Sequence, residues 1–297
     1  MESDLKTIPP AKEGLKPRGK KGFFQRLLRV RLAALGLFII LVLITCAIFA
    51  PLLAPKDPGA ANGYRALEGP SRDFWLGTDY LGRDILSRLI YGSRISLFVA
   101  VVSIGITVAI GVPLGLASGY IRGKVDTVFM RLMDTLYAFP PLLLALALVA
   151  ALGPSIFNVI IAVGIIMIPT FSRLARAQTL SVREQTYVFA ARAIGSSTSR
   201  ILARHIWPNI MAAIIVQSSL GMAVAILAES SLSYMGVGVR PPTATWGVML
   251  AEGYPHLESY PLLSIIPGMA IFLTVLSLNL LGDALRDVLD PRLRGIT

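Results

Sequence analysis

The stretch SLFVAVVSIGITVAIGVPLGLAS, Ser96–Ser118, contains no charged residue. As a helix it would reach about 35 Å, past the roughly 30 Å of hydrocarbon in a bilayer. It is too long for a sheet strand and lacks the two-residue alternation of a membrane barrel. Working outward, five further apolar runs stand at Leu32–Leu53, Thr135–Leu152, Asn158–Phe171, Met211–Leu232 and Leu262–Leu281. Together they predict an all-α integral membrane protein of about six transmembrane helices. The run at Asn158–Phe171 is short and is expected to extend into its flanks.

Composition agrees. Apolar residues make up 55% of the chain, charged residues only 15%, and the mean hydropathy is +0.69. An average soluble domain is about 25% charged. One aqueous core cannot hide so much apolar surface, whereas a bilayer is itself apolar. The net charge of +11 raises the question of nucleic acid. The positive residues flank apolar runs and form no continuous stripe, so no nucleic-acid partner is expected and membrane lipid is. The single cysteine, Cys46, lies inside the first run and excludes an intrachain disulfide.

A basic leader precedes the first run, as in a signal peptide. That run exceeds the 7–15 residues of a signal core, and no A-x-A site follows, so it is read as an uncleaved anchor. With the N-terminus inside, the inner segments hold 21 Lys and Arg and the outer segments 7. The bias predicts both termini in the cytoplasm of a multi-pass protein of the bacterial inner membrane. The expected organisation is a cytoplasmic tail over 1–31, an anchor over 32–53 and an extracytoplasmic segment over 54–95. A five-helix core over 96–285 and a second tail over 286–297 complete it. Leu81, Ile85, Leu86, Leu89 and Ile90 recur at helical spacing around Arg83, Asp84 and Arg88. This predicts an amphipathic interfacial helix before the second span. Trp246, beyond the helix-stopping Pro241-Pro242, is expected in the headgroup zone.

The chain carries no ATP site. Its nearest approach to a P-loop, Ser118-Gly-Tyr-Ile-Arg-Gly-Lys-Val125, lacks the first glycine and the final hydroxyl. His205 and His256 fall in separate loops on opposite sides of the predicted membrane. No metal, cofactor or catalytic residue is assigned, and no enzyme is expected. Intramembrane charge is sparse, which counts against a proton- or sodium-coupled carrier. Active transport through this chain would draw its energy from another chain.

The inner loop over 174–209 is far longer than a turn. It reads as a helix from Glu184 to Ile194 stopped by Gly195, then a second from Arg200 to Ile206 behind the caps Ser196-Ser-Thr-Ser199. Pro208 stands where the fifth span begins. The run YVFAARAIGSSTSRILARHIWPN, Tyr187–Asn209, resembles the cytoplasmic signature of ABC importer permeases: E-A-A, three residues, G, nine residues, I-x-L-P. Ala190, Ala191, Gly195 and Pro208 match; Phe189, His205 and Trp207 replace Glu, Ile and Leu.

The resemblance covers nearly everything after about residue 30. Gly77-Thr-Asp-Tyr-Leu-Gly-Arg-Asp84, Met130-Arg-Leu-Met-Asp134, Leu232–Gly247 and Leu280–Arg292 look like motifs of the C-type subunit of dipeptide/oligopeptide permeases, a family that also imports glutathione or nickel. It implies a type I ABC importer permease fold and a pore-forming role in peptide import. It also implies a second homologous permease subunit, two ATP-binding subunits that carry the ATP and Mg²⁺, and an extracytoplasmic substrate-binding protein. In the family the signature loop is a coupling helix docked on the ATP-binding subunit. That assigns Tyr187, Phe189, Ala190, Ala191, Ile194, Gly195, Arg204, His205 and Pro208 to ATPase coupling. A membrane scaffold whose loop only recruits a partner is the alternative from another class.

Some features stay open between two readings. Gly111, Gly115 and Gly119, spaced by four, suit either a packing seam or merely glycine-rich membrane sequence. Pro113 and Pro140-Pro141 are expected to kink or break their helices, for gating or for packing. Glu229 either lines the outer end of the translocation path or makes a structural hydrogen bond. Asp126, Arg131 and Asp134 are expected to pair along one helix.

Overall fold

The computed structural model describes residues 31–289. The tail expected before Arg31 and residues 290–297, with the end of the Leu280–Arg292 motif, lie outside the described residues. Among the described residues there is no β-strand, only an isolated bridge between Thr78 and Asp84. The helices of eight residues or more are α1 (Arg31–Ile48), α2 (Ile85–Ile121), α3 (Gly123–Tyr137), α4 (Pro141–Leu152), α5 (Ile156–Arg183), α6 (Thr186–Ala193), α7 (Thr198–Tyr234), α8 (Trp246–Gly253) and α9 (Leu262–Leu289).

Four of them, α2, α5, α7 and α9, are long and apolar enough to cross a membrane, and the bent pair α3–α4 counts as a fifth. The apolar α1 is shorter, at 18 residues. Large side chains such as Phe38, Phe98, Phe157 and Phe272 stand exposed. A bilayer solvates such faces, because only helices with their backbone bonds closed internally present them.

The centre of the bundle is the pairing of α2 with α5. The two helices run parallel and in register. Ser103 Oγ donates to the Ile160 carbonyl at 3.1 Å and Thr107 Oγ1 to the Gly164 carbonyl at 2.9 Å. One turn on, Ser172 Oγ donates to the Gly111 carbonyl at 2.9 Å. The glycines complete the seam. A Cβ built on Gly111 would stand 3.1 Å from the Ile168 carbonyl oxygen, and one on Gly115 only 2.3 Å from that of Ser172. On Gly119 it would stand 2.8 Å from the Arg176 carbonyl oxygen. The glycine spacing is therefore a packing seam inside this subunit. The other helices wrap this pair. α7 packs on both and on α9, where Ser219 Oγ reaches the Leu278 carbonyl at 2.8 Å. α1 closes against α9, its Gly36 facing Ser277.

Several expectations need correction. The interfacial helix expected around 81–90 does not exist as a separate element. Asp84 caps α2, its side chain accepting from the Ser87 N–H, and the helix then runs unbroken for 37 residues, straight through Pro113. Arg83 and Arg88 are buried in ion pairs rather than presented to headgroups. Trp246 is also fully buried. Its indole N–H donates to the Leu89 carbonyl at 3.1 Å, and its ring would stand 3.0 Å from a Cβ built on Gly92.

The expected span Thr135–Leu152 is broken. The chain turns by 87° between α3 and α4. Pro141 begins α4 and Pro140, before it, is pushed to extended ψ. The fourth expected span, α5, runs on to Arg183, well past Phe171, so the first part of the loop expected over 174–209 is helix. The reason is partnership. Arg176 pairs with Asp126 of α3 at 2.6 Å through both Nε and Nη2, and Arg173 with Asp134 at 2.7 Å. Asp126 and Asp134 thus bridge to α5 and do not pair along α3, where Arg131 is exposed. The second loop helix is the start of α7, joined through a π turn over Leu202–Ile206. Pro208 has no N–H to give. The wider turn accommodates it, and Asn209 Nδ2 donates to the His205 carbonyl at 2.6 Å.

Gly115→Ala is expected to force α2 and α5 apart, with a stability loss of about 1–3 kcal/mol. Gly105→Ala on the same helix meets nothing within 4 Å. It should be neutral or stabilising by up to about 1 kcal/mol. Thermal unfolding midpoints of the two variants in detergent check the contrast.

Candidate functional site

At the end of the bundle where α2 and α5 finish, α6 lies across the surface. Its inward face is Val188 and Ala191, both buried. Its outward face carries Tyr187, Phe189, Ala190 and then Ile194, which is 82% exposed. Gly195 ends the helix at φ +79°, where a side chain would be strained. Its N–H bonds the Arg192 carbonyl at 2.9 Å and the Ser196 N–H bonds the Ala191 carbonyl at 3.0 Å. These two bonds form a Schellman stop.

The residues assigned to coupling therefore divide. Tyr187, Phe189, Ala190, Ile194 and Gly195 are all exposed; Tyr187, Ala190 and Ile194 line one side of the helix and Phe189 stands on the Arg192 side. Ala191 does not belong to it, because it points into the bundle. His205 sits behind Tyr187 with ring centroids 6.3 Å apart, while Arg204 and Pro208 are exposed at the start of α7. Around this surface lies a cationic collar. Arg183 Nη1 donates to the carbonyls of Tyr120 at 2.6 Å and Gly119 at 3.2 Å, satisfying the last turn of α2. Arg192 Nε donates to the Tyr120 hydroxyl at 3.3 Å.

Glu229 is nowhere near this surface and does not line an opening. It is fully buried in α7, accepting from Ser233 Oγ at 2.9 Å, Ser96 Oγ at 3.2 Å and Ser230 Oγ at 3.4 Å. Of the two readings, the structural hydrogen bond is the one the geometry gives. A ring of hydroxyls removes the need for water around the carboxyl.

At the opposite end of α2 the buried charges converge. Asp79 Oδ2 accepts from Arg83 Nε at 2.6 Å, and Glu252 Oε2 accepts from Arg83 Nη2 at 2.9 Å and Arg88 Nη2 at 2.6 Å. Tyr80 donates its hydroxyl to Glu252 Oε1 at 3.4 Å. Burial, with the nearby Glu252 carboxylate, holds this phenol above its ordinary pKa, so it remains a donor. Two cations and two anions make the cluster neutral. It ties residues 79–88 to α8, which the sequence places more than 160 residues away. Sequence reading missed this latch because Glu252 has no local partner. It missed Tyr120 and Arg183 because a seam residue and a basic helix end look ordinary in one dimension.

Long apolar helices around a small-residue seam, with a short helix exposed at one end, define a multi-pass membrane protein. The chain belongs to the family of binding-protein-dependent transport system inner membrane components, which its residues 111–295 match. Residues 21–70 match the N-terminal transmembrane domain of oligopeptide transport permease C. The chain is 42% identical over 272 residues to the dipeptide transport system permease protein DppC of Alkalihalophilus pseudofirmus, covering 92% of this chain and 90% of that one. It is 44% identical over 293 residues to the glutathione transport system permease protein GsiD of Pectobacterium atrosepticum, covering 98% and 97%. To the GsiD of an Escherichia coli O6 strain it is 46% identical over 274 residues, covering 92% and 90%. The chain is thus an ABC importer permease of the bacterial inner membrane, a transport subunit and not an enzyme, at work in a complex with other subunits.

Arg88→Ala leaves buried carboxylates short of a partner and is expected to cost about 3–5 kcal/mol. Glu229→Ala strands the surrounding hydroxyls at about 1–3 kcal/mol. Both losses are read as unfolding midpoints, and the second variant should leave the charge preference for cargo unchanged in uptake assays.

Proposed function

We propose that this chain is one half of the pore of an ATP-driven importer of di- and oligopeptides. It pairs with a second, homologous permease subunit. Two ATP-binding subunits, which hold the ATP and Mg²⁺, dock on the α6 end, and an extracytoplasmic binding protein delivers cargo to the end that carries the latch. The α6 end and both termini face the cytoplasm, in keeping with the 21 to 7 division of Lys and Arg. ATP binding draws the docked subunits together, moves α6 and turns the pore from inward to outward access.

The observation that carries this reading is the outward face of α6. Tyr187, Phe189 and Ile194 are exposed on a helix flanked by Arg183, Glu184, Arg200 and Arg204. Such charge density keeps the helix out of hydrocarbon, so a protein surface is the cover that suits its apolar face. A second cargo reading, glutathione, is favoured by the relative that matches over 98% of this chain. Glutathione is itself a modified tripeptide, and the same pore chemistry serves both.

Ile194→Asp and Phe189→Asp put a charge on that face without touching the core. Each is expected to reduce co-purification of the ATP-binding subunits about tenfold or more, the equivalent of about 1.4 kcal/mol or more of docking energy. Proteoliposomes carrying the whole complex then test cargo. ATP-dependent uptake of dipeptide, competed or not by glutathione, decides between the two, and full assembly by both variants would refute the docking surface.

A further inference from the structure

We propose that Arg192 is the positioning residue through which movement of α6 reaches the membrane-spanning pair α2–α5, with Tyr120 as its receiver. The proposal rests on the reading that α6 docks on an ATP-binding subunit. It concerns how the displacement leaves α6.

The attachment of α6 is sparse. Val188 and Ala191 are its buried residues. Among the described residues, one side-chain hydrogen bond leaves this helix, from Arg192 Nε to Tyr120 Oη. The Arg192 guanidinium carbon lies 4.9 Å from the Tyr120 ring centroid and 5.7 Å from that of Phe189. Phe189 stands on the outward face and Tyr120 in the last turn of α2. Arg192 therefore touches both the face where a partner would push and the helix that would have to respond. A guanidinium suits this place because its flat, delocalised face stacks on rings while its edge donates.

Beyond Tyr120 the path is stiff. Arg183, the last residue of α5, holds the Tyr120 and Gly119 carbonyls and lies 5.7 Å from the Tyr120 ring centroid. The end of α2 is thereby clamped to the end of α5. The seam from Ser103 to Gly119 holds the two helices at backbone contact over the turns above. A close-packed, hydrogen-bonded pair of this kind has no slack in which a displacement could be lost. Among the described residues Arg192 makes the one side-chain hydrogen bond from α6 to this pair, beside the short backbone link to α5. A change there should separate ATP hydrolysis from transport.

The test uses the complete importer in proteoliposomes with its binding protein. The readouts are subunit stoichiometry, ATP hydrolysis and cargo taken up per ATP. Arg192→Ala and Tyr120→Ala are expected to assemble at the normal stoichiometry and to hydrolyse ATP, while cargo per ATP falls about tenfold, within the usual range of inter-site coupling. The double variant should be no worse than either single one, as for two residues in one contact. Arg192→Lys keeps the charge without the flat face and should fall between. Cargo per ATP unchanged in Arg192→Ala would overturn the proposal. So would loss of the ATP-binding subunits from that variant, which would make Arg192 a docking residue. The parent reading fails by a different sign: full assembly by both Ile194→Asp and Phe189→Asp, or no ATP-dependent uptake by the unaltered complex.

Discussion

The constraint on which the structure depends is the contact of α2 with α5 at backbone distance. In hydrocarbon no hydrophobic force drives helices together, because lipid tails are as apolar as the side chains. What remains is close packing and polar bonding, and this seam has both. Gly111, Gly115 and Gly119 remove the side chains that would hold the helices apart, and Ser103, Thr107 and Ser172 bond across the gap. The repeat of four on both helices keeps one face against the other throughout. Because the partners run parallel, the chain must return between them, and α3–α4 is that return. Pro140 and Pro141 break it where it turns.

The remaining polarity follows from the same solvent. Charges that cannot face lipid are gathered into closed sets. The Asp79, Arg83, Arg88 and Glu252 cluster closes one end of α2, and the Asp126–Arg176 pair, joined by Ser118, lies near the other. Glu229 takes a third solution, a cage of serine hydroxyls. None of the three is a simple stability gain, since desolvation offsets much of the attraction. Their clearer effect is registration. The latch fixes α8 over the start of α2, where Trp246 then fits against Gly92.

Apolar length and four-residue glycine spacing were legible in one dimension because each is a property of consecutive residues. The helical class, the break at Pro140-Pro141 and the stop at Gly195 belong to this kind; the glycine spacing was visible, but that it forms a seam was decided only by the contacts with α5. What could not be read is what depends on a distant partner. Arg83 and Arg88 look like the polar side of a surface helix until Glu252 is found beside them. Arg173 and Arg176 look like a loop until Asp134 and Asp126 extend the helix under them. The site was half legible for the same reason. The signature drew attention to a segment that carries an exposed helix, but spacing alone did not tell that Ala191 faces inward, or that Arg192 reaches Tyr120.

Stiffness and compliance are therefore unevenly spread, and the division bears on transport. The α2–α5 pair is locked along its length, whereas α3 has Met133 as its one buried residue and hangs from the pair by two arginine bridges. On the proposed docking of α6, a force applied there would meet the rigid pair first. In the proposed importer the pair would tilt as one body, since its seam resists shear, while the bent segment α3–α4 would be the part to change its angle. Alternating access requires such a combination: one element that carries displacement across the bilayer without loss, and another free to change its angle to it. On the proposed function the glycine seam would supply the first and the paired prolines the second. They stand next to each other in the chain because the parallel pairing of α2 and α5 obliges the return segment to lie between them.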